Sequence, residues 1–276
     1  MSTRSILKNL KSFEYTVIWA GLFLSLFATS CRNDELSQTE TSNSPSENES
    51  FISISGKLAQ AYVDNATIIL DRKLSGSHKG NCIKDAGEGK THSDPFGVFS
   101  ISASHNDFVI CTIGGTYKNS KGDDVPASPM LAPTPDSSNS AWNVTPLTTL
   151  VTTHPELKNK LDEMGGWNAD IASPEGVPGS LLRLAKTVET FDEMTKQINQ
   201  GDQQRLKAME YLANSFKLNG VSTDNTTLLT SVKIALHNAM SDTEIIPTGS
   251  DAQSLSEKAV SVSYTHLRAH ETRNYR

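Results

Sequence analysis

Residues 144–151 read Val144-Thr145-Pro146-Leu147-Thr148-Thr149-Leu150-Val151, and the character of the chain changes across them. Thr145 offers a hydroxyl able to cap the first free amides of a helix, and Pro146 suits the first helical position, where a missing N–H costs nothing. Upstream, the apolar pattern has period two: Ile52 and Ile54 alternate with Ser53 and Ser55, and further strand candidates lie at 66–71, 97–102 and 108–113. Gly- and Asp-rich stretches at 76–80, 87–89, 94–95 and 118–124 supply the turns. Downstream the period lengthens. Leu181, Ala185, Val188, Phe191 and Ile198 fall on one helical face, Leu206, Met209, Ala213 and Phe216 on a second, and Leu228, Val232, Ala235 and Ala239 on a third. Gly165-Gly166 and the Pro/Gly-rich stretch 174–179 break the helices. The pattern predicts a segregated α+β chain, with a β domain at 51–145 and a helical region at 146–260. Short strands at this spacing point to a β-sandwich rather than βαβ units.

Working outward, residues 1–30 read as an export signal. Lys8 and Lys11 precede a short apolar stretch at 17–27, too short to span a bilayer comfortably. It ends Ala28-Thr29-Ser30-Cys31, which resembles the bacterial lipobox, although Ala28 stands where that motif usually has Leu. The resemblance implies that the signal is cut off before Cys31 and that the Cys31 thiol is diacylated. Residues 32–50, RNDELSQTETSNSPSENES, are almost all Ser, Thr, Asn, Asp and Glu. They cannot bury enough apolar surface to offset ordering entropy, so 31–50 is expected to be a lipidated cysteine followed by a tether. In lipoproteins of diderm bacteria an Asp after the cysteine is associated with inner-membrane retention. Arg32 stands there in this chain, which implies an outer-membrane destination.

The far end reads differently. Residues 261–272, SVSYTHLRAHET, resemble the in-frame translation of a transposase-type sequencing adapter, with 273–276 as index sequence. The expectation is that 261–276 is not natural protein sequence and that the true C-terminus lies beyond Val260. On this reading His266 and His270, four residues apart, are not a metal pair.

Over 276 residues the chain is 36% hydrophobic and 20% charged, with formal net charge −6, which excludes a wholly disordered polymer. No run of eighteen apolar residues occurs, which excludes a multi-span membrane protein. Setting aside 1–30 and 261–276 removes six basic and two acidic residues, leaving 19 against 29 and a net charge of −10. Such a chain opposes binding to nucleic-acid phosphates.

The stretch 56–151 resembles the carboxypeptidase-regulatory-like, transthyretin-like module of bacterial surface and periplasmic lipoproteins. The residues that carry the likeness are Gly56, Ala66-Thr67-Ile68, Asp71, Asp85-Ala86-Gly87-Glu88, Asp94, Gly97, Phe99, Gly114-Gly115-Thr116 and, most specifically, Val144 through Val151. The resemblance implies a β-sandwich scaffold leading into helices; it names no activity.

With Cys31 taken by lipid, Cys82 and Cys111 remain as an even pair in an oxidising compartment. A disulfide between them would stabilise the fold by about 3 kcal/mol; the alternative is two unpaired thiols. No His/Cys cluster with zinc-ligand spacing accompanies them. Asp71, Asp85 and Glu88 are the residues to test for calcium, yet Lys73 and Lys79 between them oppose a hard cation, and a solvated turn is the expected outcome. Sequence signatures of nucleophilic, zinc-hydrolytic and P-loop chemistry are absent, and His78, His92, His105, His154 and His237 are dispersed. Trp142 and Trp167 flank the strand-to-helix junction, where packing is a commoner use of an aromatic than ligand binding.

These readings converge on a non-enzymatic, lipid-anchored envelope protein with no cofactor and no nucleic-acid partner. It meets the membrane through its lipid and offers a surface to a protein or glycan. Two alternatives stay open: a carbohydrate- or protein-binding module using Trp142, Trp167 or Tyr117, and the N-terminal part of a longer surface enzyme.

Overall fold

The period-two stretches become strands and the longer-period stretches become helices. The computed structural model describes residues 52–72, 82–85, 87–103, 107–119, 121–135, 141–173, 175–199, 201–222 and 224–245. Along these run β1 (Ile52–Lys57), β2 (Thr67–Arg72), β3 (Lys90–His92), β4 (Val98–Ala103), β5 (Phe108–Ile113), β6 (Thr116–Lys118), β7 (Asp124–Pro126) and β8 (Met130–Ala132). The helices follow: α1 (Pro146–Thr153), α2 (Leu157–Glu163), α3 (Gly179–Ile198), α4 (Asp202–Asn219) and α5 (Asn225–Ser241). This is a mixed α+β fold whose strand pairs are antiparallel. None of the described helices is long and apolar enough to cross a membrane.

β1 pairs with β4 so that Ile54 faces Ile101 and Gly56 faces Phe99. Ile54, Phe99 and Ile101 point inward, while Ser53, Ser55, Ser100 and Ser102 stay exposed, as the alternation requires. On its other side β1 is followed in parallel by residues 142–144: the Trp142 amide donates to Ser55 O at 2.9 Å and the Val144 amide to Lys57 O at 2.8 Å. The approach is so close that a side chain at Gly56 would collide with the Trp142 carbonyl.

A second sheet has the order β3-β2-β5-β8, and β6 and β7 form a separate hairpin. The inner strands β2 and β5 lack polar alternation because both their faces are covered. Ile68, Leu70, Phe108, Ile110, Met130 and Ala132 face the main core. Ile69, Val109, Cys111 and Leu131 face a smaller one, closed by Cys82 and by Leu206 of α4.

The main core does not stop at the strand-to-helix junction. Leu147, Leu150 and Val151 of α1, the Leu184–Val188–Phe191 stripe of α3 and residues of α4 and α5 continue it without a break from Ile54 to Ile245. Every residue of the three predicted helical stripes is buried except Ile198, which is half-buried against the same core.

The junction itself is held by hydroxyls. Thr145 caps α1: its side chain accepts from the Leu147 and Thr148 amides, each at 3.1 Å, and Thr148 Oγ1 accepts from the Thr145 amide at 2.9 Å. The same Thr148 hydroxyl lies 2.6 Å from Leu131 O, and Thr149 Oγ1 accepts from the Leu131 amide at 3.0 Å. Leu131 is the middle residue of β8, at one end of the sheet order. Its outward backbone groups, which a neighbouring strand would otherwise take, are therefore satisfied by the first turns of a helix.

Thr145, Thr148 and Thr149 are all buried, so no water can replace a lost hydroxyl. Thr148→Val leaves the Thr145 amide without its partner and weakens the hold on the Leu131 carbonyl. Urea unfolding should show a loss of about 2–3 kcal/mol for Thr148→Val and less than about 1 kcal/mol for Thr148→Ser, which keeps the hydroxyl.

Candidate functional site

The sequence named Asp71, Asp85 and Glu88 as calcium candidates in an expected solvated turn, and Cys82 with Cys111 as a disulfide pair. The structure brings the two sets together and buries Asp71 and Glu88, because their carboxylates are taken up by backbone amides. Cys82 and Cys111 are joined by a disulfide, with Cα atoms 5.5 Å apart. Cys82 sits in the left-handed region at φ 56°, where a non-glycine residue needs outside support. Asp71 supplies it: buried at the end of β2, its carboxylate accepts from the Cys82 amide at 2.5 Å. Glu88, also buried, accepts from the Arg72 amide through Oε1 and from the Asp85 amide through Oε2, both at 2.7 Å. These carboxylates do for backbone donors what a cation would do for carbonyls: they close a loop. Among the described residues no group of three or more His, Cys, Asp or Glu is arranged to hold a metal. Cys31 lies outside the described residues, as do Lys73, His78, Lys79 and His105.

A second constellation escaped the sequence reading. It is a chain of buried polar groups running from the strands into the helices. Gln60, just after β1, donates to Ser128 Oγ at 3.1 Å and accepts from the Ser128 amide at 3.0 Å. Ser128 Oγ donates to Asp192 Oδ2 at 2.5 Å. Asp192 on α3 accepts from Arg205 Nε of α4 at 3.0 Å and also from Arg205 Nη2, a bidentate pair. Asp192 and Arg205 side chains are 1% and 5% exposed, so both charges are removed from water. Beside them Glu189 is buried, and that burial raises its carboxyl above the usual range despite the Lys186 ammonium at 2.7 Å. Tyr117 on β6 is half-buried near this acidic face. Burial, with Glu193, Glu189 and Asp192 adding to it, pushes its phenol up to about 12.

Ser128 beside Asp192 invites a comparison with a nucleophile and its base. The Asp192 carboxylate is committed to Arg205, Ser128 is itself buried, and no histidine belongs to the hydrogen-bonded chain. What the chain can do is fix the β7–β8 connection, α3 and α4 in one register. The signal for it was present in the sequence. Asp192 lies four residues after Val188, and Arg205 four before Met209, which puts both charges on apolar stripes.

The aromatic residues play a packing role. Trp142 and Trp167 meet edge to face, with ring centroids 5.2 Å apart and an interplanar angle of 76°. Each is 6% exposed, and Trp142 Nε1 donates to Pro133 O at 2.8 Å. Neither presents a ring face to a ligand. The exposed aromatic among the described residues is Phe96, 70% exposed on the β3–β4 turn; there Asp94 accepts from the Phe96 and Val98 amides. Nearby, Lys57 and Tyr62 both donate to Asp170 Oδ2, at 3.1 and 3.3 Å, tying β1 to the segment between α2 and α3.

No protein-family model, no curated protein and no solved structure matches the chain.

The buried pair yields a sign that distinguishes it from surface ion pairs. Removing one charge strands the other, so Asp192→Asn should cost about 3–5 kcal/mol in denaturant unfolding. Replacing both partners by apolar residues, Asp192→Leu with Arg205→Met, should recover most of that loss, because the desolvation cost of two ions disappears with their attraction.

Proposed function

We propose that this chain is a lipid-anchored scaffold of the bacterial envelope. Cys31 carries the lipid, residues 32–50 give reach, and the folded part is displayed beyond them. The observation that carries this reading is the order of segments: a short apolar export signal, small residues before Cys31, and a polar run that ends where β1 begins. The disulfide between Cys82 and Cys111 agrees with it, since such bonds persist in oxidising compartments. On the same reading the protein reaches the outer membrane and presents a surface to a protein partner. Phe96, exposed on a turn where Asp94 accepts from its backbone amide, is the side chain best suited to anchor one. The burial of Trp142 and Trp167 argues against glycan stacking on those two rings.

We further read the strands as a transthyretin-like sandwich. One layer is β1 and β4 and the other is β3-β2-β5-β8. Ile54, Phe99 and Ile101 from the first belong to the same core as Ile68, Leu70, Phe108 and Ile110 from the second, as the facing layers of a sandwich require.

The anchor is tested directly. In cells fed labelled palmitate the chain should carry label and sediment with membranes, and Cys31→Ala should lose the label and move to the soluble fraction. Label persisting on Cys31→Ala would overturn the reading.

A further inference from the structure

Helix α4 ends on the only Asn-Gly pair in the sequence, Asn219-Gly220. Gly220 has φ 80° and ψ 146°, a conformation that glycine alone adopts readily, so the corner between α4 and α5 depends on glycine at this position. Both residues are exposed. The place where a side chain on Gly220 would stand is open, with no atom beyond its chain neighbours within 4 Å. Among the described residues nothing accepts from the Gly220 amide, whereas the amides that close α1, α3 and α5 each donate to a carbonyl of the last turn. A free backbone nitrogen therefore adjoins an amide side chain, and no Cβ hinders their approach.

Other asparagines lack this combination. Asn65 is also exposed, but the residue after it is Ala66, which carries a Cβ and whose amide donates to the buried Ser93 Oγ at 3.0 Å. After Asn143 the Val144 amide donates to Lys57 O, and after Asn168 the Ala169 amide donates to Gly166 O. What restrains Asn219 is its own side chain. Its Nδ2 donates to Ser215 O at 2.9 Å and to Ser215 Oγ at 3.2 Å. Asn219 is the last residue of an exposed helix end, so these bonds open whenever the final turn frays.

We propose that Asn219 is a site of spontaneous covalent modification, which changes the α4–α5 corner with time. The Gly220 nitrogen gives up its proton and attacks Asn219 Cγ. The new N–C bond closes a five-membered imide as the Cγ–Nδ2 bond breaks and ammonia leaves with that proton. Water then opens the ring. Attack at Cγ gives aspartate, and attack at the Asn219 backbone carbonyl gives isoaspartate, with the main chain running through the side chain. The sum is one amide and one water converted into one carboxylic acid and one ammonia. The product has lost the donor that met Ser215 and places a negative charge at the helix C-terminus, where the dipole opposes it. Val221, which follows, belongs to the main core, and Lys217, which precedes, pairs with Glu156 at the start of α2 at 2.6 Å. The corner so loosened ties α4 to both neighbours.

The full chain is held at mildly alkaline pH, digested and mapped by mass spectrometry, beside a free peptide of sequence 216–222. The Asn219 peptide should take on the mass of the acid, as separable aspartate and isoaspartate forms, at least about tenfold faster than the Asn65 peptide. Asn219→Gln keeps the amide but requires a larger ring, and should stay unchanged. In Asn219→Asp, which copies one product, the amides of Lys217 and Leu218 should exchange about fivefold faster, with α3 unaffected. Equal conversion at Asn65 and Asn219 would overturn the proposal, and so would an intact Asn219 after the free peptide has fully converted. Unchanged exchange in Asn219→Asp would overturn the loosening.

Discussion

A sheet edge and a helix N-terminus share one difficulty: each leaves backbone donors or acceptors without partners. In this fold the two difficulties are solved against each other. Leu131, central in β8, has its amide and carbonyl met by the hydroxyls of Thr149 and Thr148, and Thr148 at the same time completes the cap of its own helix. The site is buried, so these few hydrogen bonds must all form together. Their consequence extends beyond the edge strand. They set where α1 lies, and the Leu147, Leu150 and Val151 side chains of α1 then belong to the core that α3, α4 and α5 complete. A joint between strands and helices thereby becomes continuous packing.

Two further features depend on that placement. The four-stranded sheet needs cover on both faces. On the outer face it comes from the disulfide corner, where Asp71 and Glu88 hold the backbone around Cys82, and from Leu206 of α4. On the inner face it comes from the main apolar core, and separately the chain Gln60–Ser128–Asp192–Arg205 crosses from strand connections to α3 and α4. A buried ion pair contributes little net stability, but it penalises any arrangement that separates its partners. The Asp192–Arg205 pair therefore fixes the register of α3 and α4 against the β7–β8 connection, while the apolar core supplies the energy.

Much of this was legible in the residues. The Thr145-Pro146 start of α1 follows from capping chemistry, and the three helical stripes follow from periodicity, because α3, α4 and α5 each run for 17 to 20 residues and give the pattern room to repeat. The outward serines of β1 were readable from the period-two alternation of Ile52 and Ile54 with Ser53 and Ser55. What escaped was short. The strands β3, β6, β7 and β8 have three residues each, too few to alternate, and α2 has seven. Asp71, Asp85 and Glu88 were visible as calcium candidates and Cys82 with Cys111 as a disulfide pair, but not the contact of Asp71 with Cys82. That the carboxylates serve backbone amides is a matter of geometry that spacing does not carry. Asp192 and Arg205 interrupt apolar stripes in the sequence, but their mutual contact, and that with Ser128, depends on the packing of α3 against α4.

The central claim is that strands and helices open and close as one unit, clasped at Leu131. Native-state hydrogen exchange in low denaturant measures this most directly. The most protected amides of β5 and those of α4 around Met209 and Leu212 should exchange through the same opening, with equal free energies and equal denaturant slopes. If the amides of α3, α4 and α5 exchanged at a distinctly lower free energy and with a smaller slope, while β2 and β5 stayed protected, the helices would be a separate unit and the claim would fail.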